Sequence, residues 1–259
     1  MNGGNDIPMN EPTLFLSGNF SALAWDTKNS RLAAYDRGQK AVRVFSSVGK
    51  QVYRMEELDP LSMCFDVYGR LLACDRSFRA VVRRDHYGSV EFASEYSGGA
   101  TDPQAILVHS CGAYYMLGQR ALYYIIPEGR AVFDACGGAA LDYCGMCMAG
   151  DEAGLVFTRR RDARLVFCEF SPEGTLGIER TLVFGGDYWQ ACPQAICSDR
   201  RGNIYCAAGE RLFVFSRSGR LLGSGDYGPI HSLCAVGPED RVFMSLPDGI
   251  FSLEVYKDA

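Results

Sequence analysis

The chain has 259 residues, 47% of them hydrophobic, and a formal net charge of −5 from 26 Lys and Arg against 31 Asp and Glu. Charges of both signs are spread along it, so there is no electrostatic footprint for nucleic acid or an anionic membrane surface, and no apolar run nears the roughly eighteen residues of a membrane span. Residues 1–12 lack the basic and apolar regions of a signal peptide and contain Asn, Gly and Pro, which predicts a flexible N-terminus, a single folded domain over 13–259 and a cytoplasmic location.

The first predicted element is a strand over Thr13–Ser17, which stands outside the pattern that follows. Six seven-residue segments then superimpose: Phe20–Asp26, Pro60–Asp66, Pro103–His109, Tyr143–Ala149, Pro193–Asp199 and Ile230–Val236. Their second residues fall at 21, 61, 104, 144, 194 and 231, in steps of 40, 43, 40, 50 and 37. A repeat at that period is the spacing of a propeller blade. After each segment the pattern is a turn, a second apolar strand, another turn and a third strand closed by glycine. The copy from Asp199 runs through Asn203–Ala207 and Arg211–Phe215 to Ser218-Gly219-Arg220 and Leu221–Gly223. No stretch of ten or more residues carries a 3.6-residue period. The expected fold is therefore all-β, a six-bladed propeller of four-stranded antiparallel blades, with Thr13–Ser17 pairing onto the last blade to close the ring.

The chain has 11 cysteines, and Cys64, Cys147, Cys197 and Cys234 share the fifth column of the repeat with Ala24 and Leu107. That column reads as small packing residues in a reducing compartment, not as a disulfide framework. The second column predicts the ring that meets on the axis: Ser21, Leu61, Gln104, Cys144, Gln194 and His231. It holds no carboxylate. Cys144 and His231 together are the residue types of a nucleophile and its base, or of two soft zinc ligands, although they stand two repeats apart. Cys144-Gly145-Met146-Cys147 has the spacing of a redox pair, but on a strand its two thiols face opposite ways. His86 and His109 read as surface residues.

Three connections into inner strands carry Asp-Tyr: Asp142-Tyr143, Asp187-Tyr188 beside Trp189, and Asp226-Tyr227. Aromatic faces next to carboxylates at a channel mouth suit a sugar, and truncating Trp189 is expected to weaken ligand binding without unfolding the protein. Arg159-Arg160-Arg161 with Arg164 reads as a solvated turn among acidic neighbours. Gly98-Gly99 and Gly137-Gly138 lack the strand–helix setting of a phosphate loop.

Residues 14 to 256 resemble the gluconolactonase, regucalcin and senescence-marker group of propellers. The resemblance is strongest in PQAICSDRRGNIYCAAGERLFVFSRSGRLLG and VGPEDRVFMSLPDGIFSLEV, and next in PLSMCFDVYGRLLACDRSFRAVVRRDHYGSV. It implies lactone hydrolysis assisted by one divalent ion on the axis, with Glu at the position of Ser21, Asn at those of Gln104 and Cys144, and a ligand-and-base Asp at that of Gln194. All four positions depart from that pattern, and glutamine cannot act as a general base at neutral pH. The expected function is a non-catalytic propeller with no cofactor, binding a small polar ligand such as a sugar or sugar lactone, or a peptide. The alternative is a diverged hydrolase of sugar lactones or related esters, holding calcium or zinc through Asp142, Asp187 or Asp226.

Overall fold

The computed structural model describes residues 9–85, 87–95, 104–118, 121–125, 131–134, 142–171, 176–189, 192–193, 195–236 and 241–254. Gln194, His86 and the two glycine pairs of the sequence analysis lie outside the described residues. Strand β1 (Thr13–Ser17) comes first. Blade one is β2 (Phe20–Asp26), β3 (Arg31–Asp36), β4 (Ala41–Ser46) and β5 (Gln51–Met55), and blade two is β6 (Pro60–Phe65), β7 (Leu71–Asp75), β8 (Ala80–Arg84) and β9 (Val90–Glu95). Blade three is β10 (Ala105–Val108), β11 (Tyr114–Leu117), β12 (Leu122–Ile125) and β13 (Ala131–Asp134). Blade four is β14 (Tyr143–Met148), β15 (Gly154–Arg159), β16 (Arg164–Phe170) and β17 (Leu176–Val183). Blade five is β18 (Ala195–Ser198), β19 (Ile204–Ala208), β20 (Arg211–Phe215) and β21 (Leu221–Asp226). Blade six takes β22 (Ser232–Val236), β23 (Arg241–Leu246) and β24 (Gly249–Glu254) from the C-terminal end, and β1 is its outer strand.

The protein is a six-bladed β-propeller. Each sheet is a four-stranded antiparallel meander, and each inner strand packs against the inner strands of the blades on either side. Strand β1 pairs with β24 from Thr13↔Ser252 to Ser17↔Gly249, so both ends of the chain share one blade.

The strands read as continuous apolar runs because every blade is covered on both faces. In β7 all five residues are buried, with Leu71 and Ala73 in the layer shared with blade one and Leu72 and Cys74 in the layer shared with blade three. The core is accordingly a set of inter-blade layers, one at each junction around the ring.

In four of the blades the last residue of the repeated segment holds the turn after the inner strand. Asp26, Asp66 and Asp199 each accept the amide two residues on, at 3.1, 2.9 and 2.9 Å, and His109 does the same through Nδ1 from the Cys111 amide at 3.1 Å. A side-chain acceptor at this spacing makes the local turn that the backbone alone would leave open. Asp199 also takes the Asn203 amide, Asn203 Nδ2 and the Tyr205 hydroxyl at 2.9, 2.9 and 3.1 Å, all buried. In blade two the following glycine, Gly69, has φ +79°, and a Cβ there would sit 2.4 Å from Asn29 Nδ2 in the turn of blade one.

Replacing Asp199 with Ala leaves buried donors unmatched and should lower stability by about 2–4 kcal/mol, whereas Tyr205→Phe should cost about 1 kcal/mol. Urea denaturation midpoints check both values and their order.

Candidate functional site

The inner strands enclose an axial cavity of about 330 Å³. Its described lining includes Ala22, Leu61, Gln104, Cys144 and His231 from the start of five inner strands, with Trp25, Met63, Phe65 and Met148 further along. Ser21, expected on the axis, is not among the lining residues, and its neighbour Ala22 takes that place.

The reason is a bulge at the start of the inner strands. Two successive residues face one partner in each: Ser21 and Ala22 opposite Tyr35, Leu61 and Ser62 opposite Cys74, Cys144 and Gly145 opposite Thr158. The amides of Gln104 and His231 donate to Leu117 O at 2.7 Å and Ser245 O at 2.9 Å, carbonyls whose residues already pair with Ala105 and Ser232. A bulge leaves one residue outside the ladder and re-aims its side chain. Ala22 carries this as a φ of 45°.

Neighbouring inner strands are tied by side chains, near the bulges and at the strand ends. Ser232 Oγ accepts the Leu23 amide at 3.1 Å and Ser62 Oγ the Ile106 amide at 3.2 Å, while Ser198 Oγ donates to Met148 O. Cys144 Sγ lies 3.2 Å from Thr158 Oγ1 and 3.7 Å from Pro193 O, across the junction of blades four and five. A hydrogen bond from the Cys192 thiol and contacts with Thr158 and Arg160 outweigh burial and lower the Cys144 thiol to about 6. The Cys192 thiol is correspondingly pushed up. His231 is exposed, and partial desolvation with the Arg37 charge lowers its imidazole below the ordinary 6.5. Among the described residues no hydrogen bond or ion pair joins Cys144 to His231; the thiol of Cys144 is held by Thr158 and Pro193 O. The fifth-column thiols Cys147 and Cys234 are pushed up to about 12 by burial, and the described cysteines are all free.

Among the described side chains, none of Asp142, Tyr143, Tyr188, Trp189, Asp226 and Tyr227 lines the cavity. Tyr143 is buried, stacks on Phe157 at 4.2 Å and donates to Glu179 at 2.8 Å. Trp189 is 6% exposed, packs on Phe213 and Phe215 at 5.4 and 5.8 Å, and donates Nε1–H to Ala163 O at 2.8 Å. Tyr188 meets the edge of Phe215, and Tyr227 is directed to Asn10 O. Asp142 faces Arg161 at 3.3 Å and Asp226 faces Arg211 at 3.9 Å; the side chain of Asp187 lies outside the described residues. The arginine string is engaged with carboxylates, Arg159 with Asp162 and Glu179 and Arg164 with Asp162.

A hard divalent ion needs several oxygen ligands at one point, carboxylates above all. The described lining carries no Asp or Glu, and among the described residues no three His, Cys, Asp or Glu side chains are grouped to hold a metal ion. With Gln at 194, the residues present do not fit the metal that the resemblance implies. No described helix is long and apolar enough to cross a membrane.

No protein-family description matches the chain, and no curated protein matches it. Solved structures do. A gluconolactonase from Xanthomonas campestris is 18% identical with a TM-score of 0.77, covering 99% of each chain. A putative gluconolactonase is 17% identical with a TM-score of 0.75, over 96% of this chain and 94% of that one. A calcium-binding protein, regucalcin, from Agrobacterium tumefaciens is 11% identical with a TM-score of 0.72, over 96% and 95%. The chain has the fold of these proteins. At such identities the likeness reaches the architecture, and the site must be argued from its own residues.

Truncating Trp189 to Ala removes core packing between blades four and five and should destabilise by about 3–5 kcal/mol. An unchanged urea midpoint would return Trp189 to a ligand face. For His231, the lowered native value means that its neutral form is favoured in the fold. That contribution is complete above 6.5 and is lost as pH falls from there through the native value. An NMR titration should place its midpoint below 6.5, and Arg37→Gln should raise it part of the way; a midpoint at or above 6.5 contradicts the assignment.

Proposed function

We propose that the chain is a binding propeller that holds an uncharged, hydroxyl-bearing small molecule, such as a sugar or sugar lactone, in its axial channel without metal-dependent hydrolysis. The observation that supports this reading is the lining. None of the described residues around the cavity is Asp, Glu, Lys or Arg, and His231 is lowered toward its neutral form. A cationic ligand would be desolvated there with no carboxylate among the described lining to meet it, at a cost of several kcal/mol.

A few polar groups remain at the wall. The Gln104 amide, the Cys144 thiol and the His231 imidazole share the wall with Leu61, Met63 and Phe65 of β6. Apolar faces with a few convergent polar groups are the usual makeup of a small-molecule pocket, and about 330 Å³ falls at the small end of the range such pockets span. The volume favours a small molecule over an extended peptide. The likeness to gluconolactonases supports sugar lactones as the first probes.

Glucono-lactone and related aldonolactones should bind metal-free protein in calorimetric titrations. Leu61→Arg, at a position 37% exposed on the channel wall, should reduce affinity at least tenfold, about 1.4 kcal/mol, with an unchanged urea midpoint. Equal affinity in the variant would place the ligand elsewhere and contradict the reading.

A further inference from the structure

Cys144 and Cys192 are 48 residues apart in sequence and belong to different blade segments, yet both thiols address one atom. Cys144 Sγ lies 3.7 Å and Cys192 Sγ 3.8 Å from Pro193 O. The interaction between the two thiols lowers the pKa of Cys144 and raises that of Cys192. Both are half-buried and free, and Cys144 lines the axial cavity, so a small reagent entering the channel meets it.

We propose that Cys144 and Cys192 form a hydroperoxide-sensitive dithiol that closes to a disulfide between blades four and five. Cys144 is the attacking sulfur. Its neighbours, the Thr158 hydroxyl at 3.2 Å, the Arg160 guanidinium and the Cys192 S–H, all stabilise negative charge on it. Cys192, which holds the proton, is the resolving thiol.

The steps balance with a hydroperoxide as oxidant. The Cys144 thiolate attacks the distal peroxide oxygen, an S–O bond forms as the O–O bond breaks, and the leaving alkoxide or hydroxide takes a proton. The Cys192 sulfur then attacks the sulfenic sulfur, an S–S bond forms as the S–O bond breaks, and the hydroxyl leaves as water with the Cys192 proton. Two thiols are oxidised, one hydroperoxide is reduced to alcohol or water, and a second water is released. A small thiol reverses the change by exchange.

The other described cysteines lack this arrangement. Cys74, Cys147, Cys168, Cys197, Cys206 and Cys234 are buried and Cys64 is half-buried, all with their thiols pushed up by desolvation, which keeps them as unreactive thiols. Cys111 is exposed, but among the described residues no hydrogen bond joins it to a second thiol. It therefore serves as the internal reference for accessibility alone.

The test is treatment of the purified full chain with stoichiometric hydrogen peroxide, followed by alkylation and peptide mapping. The expected result is loss of two hydrogens from the intact mass, a cross-linked peptide pair containing Cys144 and Cys192, and its disappearance after dithiothreitol. Cys192→Ser should instead leave a dimedone adduct at Cys144, and Cys144→Ser should abolish both products while Cys111 still alkylates. Circular dichroism of each variant confirms that it is folded before treatment. Recovery of both cysteines alkylated in the treated wild-type protein, or cross-links that join other cysteines instead, would overturn the proposal. Ligand binding plays no part in this readout, so its outcome is independent of the function proposed above.

Discussion

Each blade is apolar on both faces, and that single condition forces the ring. A sheet such as that of β7 has no side it can turn to water, so it needs a neighbour on each, and so does the neighbour. Only a closed circuit satisfies every blade. The cost of an open circuit would be two exposed apolar sheet faces, each a site for aggregation. Closure falls to β1, which joins the N-terminal end of the chain to β24 and leaves blade six as complete as the rest. The channel is a consequence of the same geometry, since six inner strands side by side cannot fill the axis.

Inner strands of adjacent blades are not hydrogen-bonded as a sheet, and side chains take over that task. Ser62 and Ser232 near the bulges and Ser198 at the far end of β18 each bond a backbone group of an adjacent inner strand, and Cys144 reaches Pro193 O just before β18. The bulges turn one residue per strand out of the ladder and toward the axis, so the same local irregularity both ties the ring and composes the channel wall. The described wall holds no carboxylate because the repeat keeps its carboxylates elsewhere. Asp26, Asp66 and Asp199 are buried at the far end of the inner strands, with their oxygens committed to turn amides and neighbouring side chains.

The architecture was legible in the sequence because it is periodic. Columns of the repeat predicted the inner strands, the packing role of the fifth-column cysteines, the turn after Asp199 and the pairing of Thr13–Ser17 with the last blade. The site was less legible, and for definite reasons. A bulge shifts which of two adjacent residues faces the axis, and nothing in Phe20–Asp26 announces that Ala22 rather than Ser21 does so. Asp-Tyr pairs look alike in sequence, but whether an aromatic caps the core or faces a ligand depends on the neighbouring blade, and Phe213 and Phe215 claim Trp189. Cys192 lies outside the repeated segments, so column matching could not bring it to Cys144; the connection between blades four and five does so in space. Its one sequence signal is a cysteine directly before the Pro193 that opens the fifth segment.

The proposed function depends on a channel whose described lining holds no carboxylate for a hard metal ion. The most direct measurement is aldonolactone hydrolysis by protein stripped of metal and then resupplied in turn with calcium, zinc, manganese and magnesium. A rate equal to that of the protein-free solution with each ion is the result the account predicts. A metal-dependent turnover well above that rate, removed by Gln104→Ala in the channel wall, would contradict it.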